Sequence, residues 1–268
     1  MYKKIALEIE KKGIVKIDNF FDVNEIRETS NIIKYYSAPK NTPNSYFPTN
    51  FKTIGLKILK LNFIKFFHSL KILQISKKKK LGNISDEFFK KKSELRFIDA
   101  YYSKISNDNV LPWHTDQAYS GKKDVTKFNH PDSFYLKIFI YLTDVSPDNG
   151  CMSYIPETHK IGYTIRRGIY NGDIQYRPYW ALKDFKKIII ENENYFRKYF
   201  ENTKILDNFF EKTKNLDQEV NSKNFGYSAK AGSAIIFDEG GIHKGSKPSL
   251  NDRMVLRYLY SLKKKDRE

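Results

Sequence analysis

Residues 133–144 alternate. Phe134, Leu136, Ile138, Ile140 and Leu142 fall on one side of an extended chain, and Tyr135, Lys137, Phe139 and Tyr141 on the other. The first side is wholly apolar and suits packing against helices or a second sheet. The second mixes aromatic rings with a lysine and suits the lining of a ligand-holding barrel. Similar strand-like runs occur at residues 13–21, 95–103, 151–155, 232–238 and 253–260. Residues 3–12 and a stretch from about residue 22 to Tyr36 are predicted helical, the second capped by Asp22 or Asn24, and residues 53–76 are predicted helical as well. Pro39, Pro43 and Pro48 mark an irregular segment through residue 50, and Pro147-Asp148-Asn149-Gly150 marks a turn. The strand rhythm breaks over residues 160–225, with charged helical stretches at about 182–200 and 203–218. The pattern predicts a mainly β fold with flanking helices and a helical insertion, within one domain spanning residues 1–268. An insertion of this length is a candidate lid over a site.

Chemistry enters at Trp113-His114-Thr115-Asp116. A His-x-Asp spacing on a strand puts both polar side chains on one face. His243, in Ile242-His243-Lys244-Gly245, completes two imidazoles and a carboxylate. That set occupies one face of an octahedral ion, leaves the other open, and suits non-heme Fe(II). Arg253 follows ten residues later in a strand-like segment that places Arg253, Val255, Arg257 and Leu259 on one side. Lys137 on the mixed face is expected to point inward and to meet an acidic group, because a buried unpaired ammonium is costly. Tyr135 and Tyr141 share its face and are candidate substrate contacts. Arg166, Arg167 and Arg177, interleaved with Tyr170, Tyr176, Tyr179 and Trp180, suggest that the insertion holds an anionic small molecule. His68 and His130 are read as packing or loop residues, and His159 as structural.

Composition narrows the classes. At 40% hydrophobic and 15% aromatic residues the chain is globular and not disordered. Its single cysteine, Cys151, cannot form an internal disulfide and fits a reducing, cytoplasmic setting. No apolar run is long enough to span a membrane. The net charge of +17 admits nucleic acid, an acidic surface or an anionic ligand, but no zinc-finger, RRM or helix-turn-helix signature accompanies it. A generally solvated basic surface, with no nucleic-acid, membrane or protein partner, is the expectation.

The chain resembles the phytanoyl-CoA dioxygenase family of Fe(II)/2-oxoglutarate oxygenases. The matching pieces are the Trp113 to Asp116 motif, Lys137 through Val145, Asn149 through Lys160, the strand ending at Phe237, and His243-Lys244-Gly245 with Arg253. The resemblance implies a double-stranded β-helix (jelly-roll, cupin-like). It implies Fe(II) on His114, Asp116 and His243, 2-oxoglutarate with its distal carboxylate on Arg253, and O2 as the oxidant. Arg257 is the alternative anchor, and Lys137 a second candidate for the cosubstrate. Some members carry the arginine one position later, where this chain has Met254, and Glu157-Thr158-His159 replaces the usual Gly-Ser-His. Halogenating members have a small residue where Asp116 stands, so hydroxylation of a C–H bond in a small, anionic metabolite is the expected outcome. A metal-binding cupin-like protein without oxygenase activity and a basic nucleic-acid-binding protein are the competing classes. A zinc hydrolase would need a general base that the sequence does not offer beside the triad.

Overall fold

The computed structural model describes residues 1–37, 45–57, 63–116, 135–200, 204–216 and 223–263. Its larger sheet contains β1 (Ile14–Ile17), β2 (Ser45–Phe47), β3 (Ser93–Ser103), β5 (Tyr135–Tyr141), β7 (Ala234–Asp238) and β9 (Arg253–Leu262). They lie antiparallel in the order β1-β7-β5-β9-β3-β2. The smaller sheet, also antiparallel, has the order β4-β8-β6, from Leu111–His114, His243–Gly245 and Met152–Tyr154. Sequentially distant strands pair in both, giving the double-stranded β-helix.

The alternation along β5 sorts the layers. Leu136, Ile138 and Ile140, with Ala234 and Ile236 of β7 and Leu256 and Tyr258 of β9, pack into the outer core. The helices α1 (Tyr2–Lys12), α2 (Val23–Tyr36), α3 (Phe51–Lys57), α4 (Phe63–Lys78) and α5 (Leu81–Phe89) contribute to that core Ile9, Ile32, Ile33, Ile54, Ile72, Leu73, Leu81 and Ile84. Each such side chain, fully buried, contributes about 1.5–3 kcal/mol. The opposite face of the same strands gives Tyr141, Ile235, Phe237 and Val255. These meet Met152 and Tyr154 of the smaller sheet in a core between the sheets. Asp22 caps α2 through a reciprocal pair with Glu25, so Asp22 rather than Asn24 sets that helix start.

The insertion differs from the expectation at its start. A helix, α6 (Thr158–Asn171), begins where the sequence was read as a strand end, and α7 (Leu182–Glu191), α8 (Glu193–Tyr199) and α9 (Lys204–Thr213) follow. Ile161, Ile165 and Ile169 form a stripe at four-residue spacing along α6 and pack with Phe185, Ile188 and Phe209. This layer also takes in Trp113 of β4, with Ile155 just after β6 and Ile242 just before β8. The insertion therefore packs mainly behind the smaller sheet, with one reach toward its inner side. The proline-rich segment, read as irregular, contains the edge strand β2. The predicted loop at residues 117–132, with His130, lies outside the described residues.

Candidate metal centre

His114 ends β4, and His243 opens the neighbouring strand β8, paired with it in register. Asp116 follows two residues after His114. Its backbone N–H donates to the Glu239 carbonyl (3.1 Å), while Thr115 N–H donates to the Trp180 carbonyl (3.0 Å). The Thr115 hydroxyl adds bonds to the carbonyls of Glu239 and Gly240. These bonds fasten the end of β4 to the turn before β8. One ligand atom each from His114, Asp116 and His243 then lie within 4.8 Å of one another.

The protonation pattern of this cluster suits a cation. His114 Nδ1 lies 2.7 Å from the Pro112 carbonyl, and His243 Nδ1 lies 2.9 Å from the Gly241 carbonyl. A carbonyl accepts only, so in each neutral ring Nδ1 carries the proton and Nε2 keeps its lone pair. His243 Nε2 then faces Asp116 Oδ2 at 2.9 Å, and His114 Nε2, buried without a hydrogen-bond partner, faces Oδ1 at 3.4 Å. Burial lowers the His243 pKa even with Asp116 beside it, so a protonated ring is a poor answer to this clash of acceptors. A divalent ion bound by the three atoms resolves it, and two imidazoles with one carboxylate are a donor set that iron(II) accepts. Trp180 of the insertion stacks on His114, with ring centroids 4.8 Å apart and planes 28° apart.

Lys137 points between the sheets. Its ammonium donates to Asp116 Oδ2 and lies 3.1 Å from Glu239 Oε2. Burial works against the charge, but the two carboxylates outweigh it and raise the Lys137 pKa. Burial likewise pushes Asp116 up, and Lys137 with His243 reverses this and holds its carboxyl well below the ordinary value. The acids that Lys137 meets in this structure thus belong to the chain itself. Glu239, read from sequence as part of a turn, is the member of the cluster that sequence reasoning missed. Its partner lies about a hundred residues away, so no local spacing signals the pair.

The two arginines of β9 differ. Arg257 gives Nε and Nη2 to the two oxygens of buried Asp99, at 2.7 and 2.5 Å. Arg253 is buried too, and its Nη1 and Nη2 donate to the Gly150 carbonyl (2.8 Å) and the Ser103 hydroxyl (3.1 Å). Its Nε has no hydrogen-bond partner, and no carboxylate meets its guanidinium among the described residues. Burial lowers the Arg253 pKa, as expected of a cation without a counter-ion. Gly150, at φ 70°, lets the turn pass over this side chain, and a Cβ there would lie 3.1 Å from Arg253 Cδ.

His114, Asp116, Lys137, His243, Arg253 and Arg257 all border one cavity of about 170 Å³, whose remaining wall includes Tyr101, Phe139, Met152 and Lys244. A single water needs roughly a tenth of that volume, so a metal and a small organic ligand fit together. The other candidate residues lie elsewhere. Tyr141 is fully buried between the sheets, where its hydroxyl accepts from Met152 N–H. Tyr135 does not border the cavity. Arg166 is buried on the packed face of α6, Arg167 is exposed, and Arg177 pairs with Glu191 at 2.5 Å. Arg166 and Arg167 face different ways on α6, Arg177 lies beyond its end, and none of the three borders this cavity. His159 sits apart from the cluster, its Nε2 donating to the Glu10 carbonyl.

The family model for phytanoyl-CoA dioxygenase (PhyH) matches residues 9–254. No curated protein sequence matches the chain. Among solved structures, HygX from Streptomyces hygroscopicus, with nickel and 2-oxoglutarate bound, is 12% identical over 97% of this chain and 87% of its own, with a TM-score of 0.55. EvdO2 from Micromonospora carbonacea var. aurantiaca, complexed with 2-oxoglutarate, is 13% identical over 97% of this chain and 90% of its own, with a TM-score of 0.51. At such identities the likeness speaks for the fold. With the double-stranded β-helix in place and the family model spanning nearly its whole length, the chain belongs to the phytanoyl-CoA dioxygenase family of iron- and 2-oxoglutarate-dependent enzymes.

Proposed function

We propose that the chain hydroxylates a C–H bond of a small organic molecule, with iron(II) on His114, Asp116 and His243 and the distal carboxylate of 2-oxoglutarate on Arg253. The observation that carries this reading is one cavity holding both the convergent triad and a buried guanidinium without a carboxylate partner among the described residues. A structural metal site has no use for such a guanidinium. The bound group would supply the oxidising power: 2-oxoglutarate and O2 become succinate and CO2, and the second oxygen atom enters the substrate as a hydroxyl.

The chain's own part is to bind and orient. The Pro112 and Gly241 carbonyls hold both imidazoles in the tautomer that presents Nε2. Lys137 steadies Asp116 from the side of the larger sheet. Arg253 would take a carboxylate through a charge-assisted pair in a dry setting. Asp116 fills the position that a halide would need, which favours hydroxylation over halogenation. Of the cations at the cavity, Lys137 and Arg257 already meet carboxylates of the chain, and Lys244 also borders it. Tyr101, Val110, Leu111, Phe139 and Met152 offer contact area for the substrate's body.

The test is succinate formation from 2-oxoglutarate by the iron-loaded protein, with calorimetric titration of Ni(II) and then 2-oxoglutarate. His114→Ala, Asp116→Ala and His243→Ala should each lose metal binding and turnover. Normal iron binding and activity in the His243 variant would sink the proposal.

A further inference from the structure

No Asp or Glu occurs between Glu28 and Asp86, a stretch that holds eleven lysines and no arginine. All 31 acidic residues of the chain lie outside it, so most of the net charge of +17 is concentrated here. The basic surface is therefore not evenly spread. Some of these lysines serve the fold. Lys71 pairs with Glu28, and Lys78 and Lys79 pair with Glu25, joining α4 to α2. Lys34, Lys52, Lys65, Lys77 and Lys80 are exposed.

The same lobe exposes apolar side chains. Phe51, Phe63 and Phe67 are the exposed phenylalanines among the described residues, Phe63 being 82% exposed and Phe67 58%, and all three lie on α3 and α4. Ile64, Tyr35 and Tyr46 are exposed beside them. Contacts tie the elements that carry them together, the end of α2 to the first turns of α4 and the start of α3 to the last turn of α4. Tyr35 packs edge-on against His68 of α4 (5.4 Å), Lys65 lies 6.0 Å from the Tyr36 ring, and Lys77 lies 3.8 Å over the Phe51 ring.

We propose that this lobe, formed by the end of α2, the edge strand β2, α3 and the first turns of α4, docks on an anionic membrane surface. Lysines around exposed phenylalanine and isoleucine match both layers of such a surface: phosphate headgroups meet the ammonium groups, and the acyl boundary takes the apolar tips. A nucleic acid would call for arginine forks and gain little from Ile64. No helix among the described residues is long and apolar enough to cross a membrane, so the attachment is peripheral. The docked edge also adjoins the cavity. Tyr46 packs on Phe97 (5.3 Å), and Arg257, which borders the cavity, lies over Phe97 (5.4 Å).

The experiment is co-sedimentation of the full chain with vesicles of phosphatidylcholine alone and of equal parts phosphatidylcholine and phosphatidylglycerol. The chain should bind the second and not the first. Lys34→Glu with Lys52→Glu and Lys65→Glu should weaken binding at least about tenfold. Phe63→Ser with Phe67→Ser should weaken it further as salt rises, because the apolar part survives screening. All of these residues are exposed, and an unchanged melting temperature checks the fold. Lys183→Glu with Lys187→Glu and Lys198→Glu alters charge equally on the insertion and should leave binding intact. No binding to the anionic vesicles overturns the proposal. So does equal loss in the insertion variant, or insensitivity to the phenylalanine changes with displacement of the vesicles by duplex DNA, which would assign the lobe to nucleic acid.

Discussion

Replacing Arg253 and Arg257 separately by leucine separates anchoring from folding. In Arg253→Leu the fold loses a cation that has no counter-ion among the described residues, and two hydrogen bonds, to Gly150 and Ser103. Each lost bond costs about 1 kcal/mol, and removal of an uncompensated buried charge offsets much of that, so the melting temperature should move little. Binding of 2-oxoglutarate should fall heavily. Loss of a buried charge-assisted pair costs about 2–5 kcal/mol, which is roughly 30-fold to several thousandfold in affinity. Arg257→Leu inverts the pattern. It leaves Asp99, with no exposed surface, facing the interior alone, at a cost of about 3–5 kcal/mol. For a chain of this size that corresponds to roughly 6–20 °C in melting temperature. Protein still folded should retain most of its 2-oxoglutarate affinity. Thermal denaturation and calorimetric titration of 2-oxoglutarate with Ni(II) in place of iron read the two effects independently. A stable Arg257→Leu that fails to bind 2-oxoglutarate, beside an Arg253→Leu that binds it normally, would refute the assignment.

Two further outcomes follow from the same charges. Lys137→Met should destabilise the metal-free protein by about 3–5 kcal/mol, because Asp116 and Glu239 lose their shared cation. A divalent metal supplies a replacement, so Ni(II) should raise the melting temperature more in the variant than in the parent; an equal or smaller rise would count against the coupling. Burial lowers the His159 pKa to about 4, below the ordinary 6.5, so the folded state favours the neutral ring. Its contribution is complete above about pH 6.5 and is lost as pH falls toward 4, up to about 3 kcal/mol. His159→Gln should flatten stability across that window, and an unchanged slope in denaturant titrations would contradict the reading.

Much of the architecture was legible because burial imposes a period. Leu136, Ile138 and Ile140 alternate with Lys137 and Phe139, and the layers separate accordingly. The spacing from His114 to Asp116, with the arginine face of β9, likewise pointed to one cavity. Pairings across the sheet were not legible. Asp99 with Arg257, and Glu239 with Lys137, join residues far apart in sequence, and a lone acid in a strand or turn reads as surface. The insertion misled for another reason. Arginine clusters in sequence are not clusters in space on a helix, and the isoleucine stripe of α6, which shows which way the helix faces, was the better signal.

The candidate metal ligands and the candidate anchor stand on opposite sheets. His114 and His243 belong to β4 and β8, with Asp116 just beyond β4, while Lys137 and Arg253 belong to β5 and β9. Beside the cavity that they share, the spacing of the two sheets is set by an apolar filling of Ile235, Phe237, Val255, Met152 and Tyr154. That filling behaves as a gauge block. Exchanging a methyl group inside it would leave every polar residue in place and still shift one half of the centre against the other. A misplacement of 1 Å can cost on the order of a hundredfold in rate. Side chains with no chemistry of their own thus set the working distance, and the family could retune its reactions by changing the width of the gap while keeping the ligands.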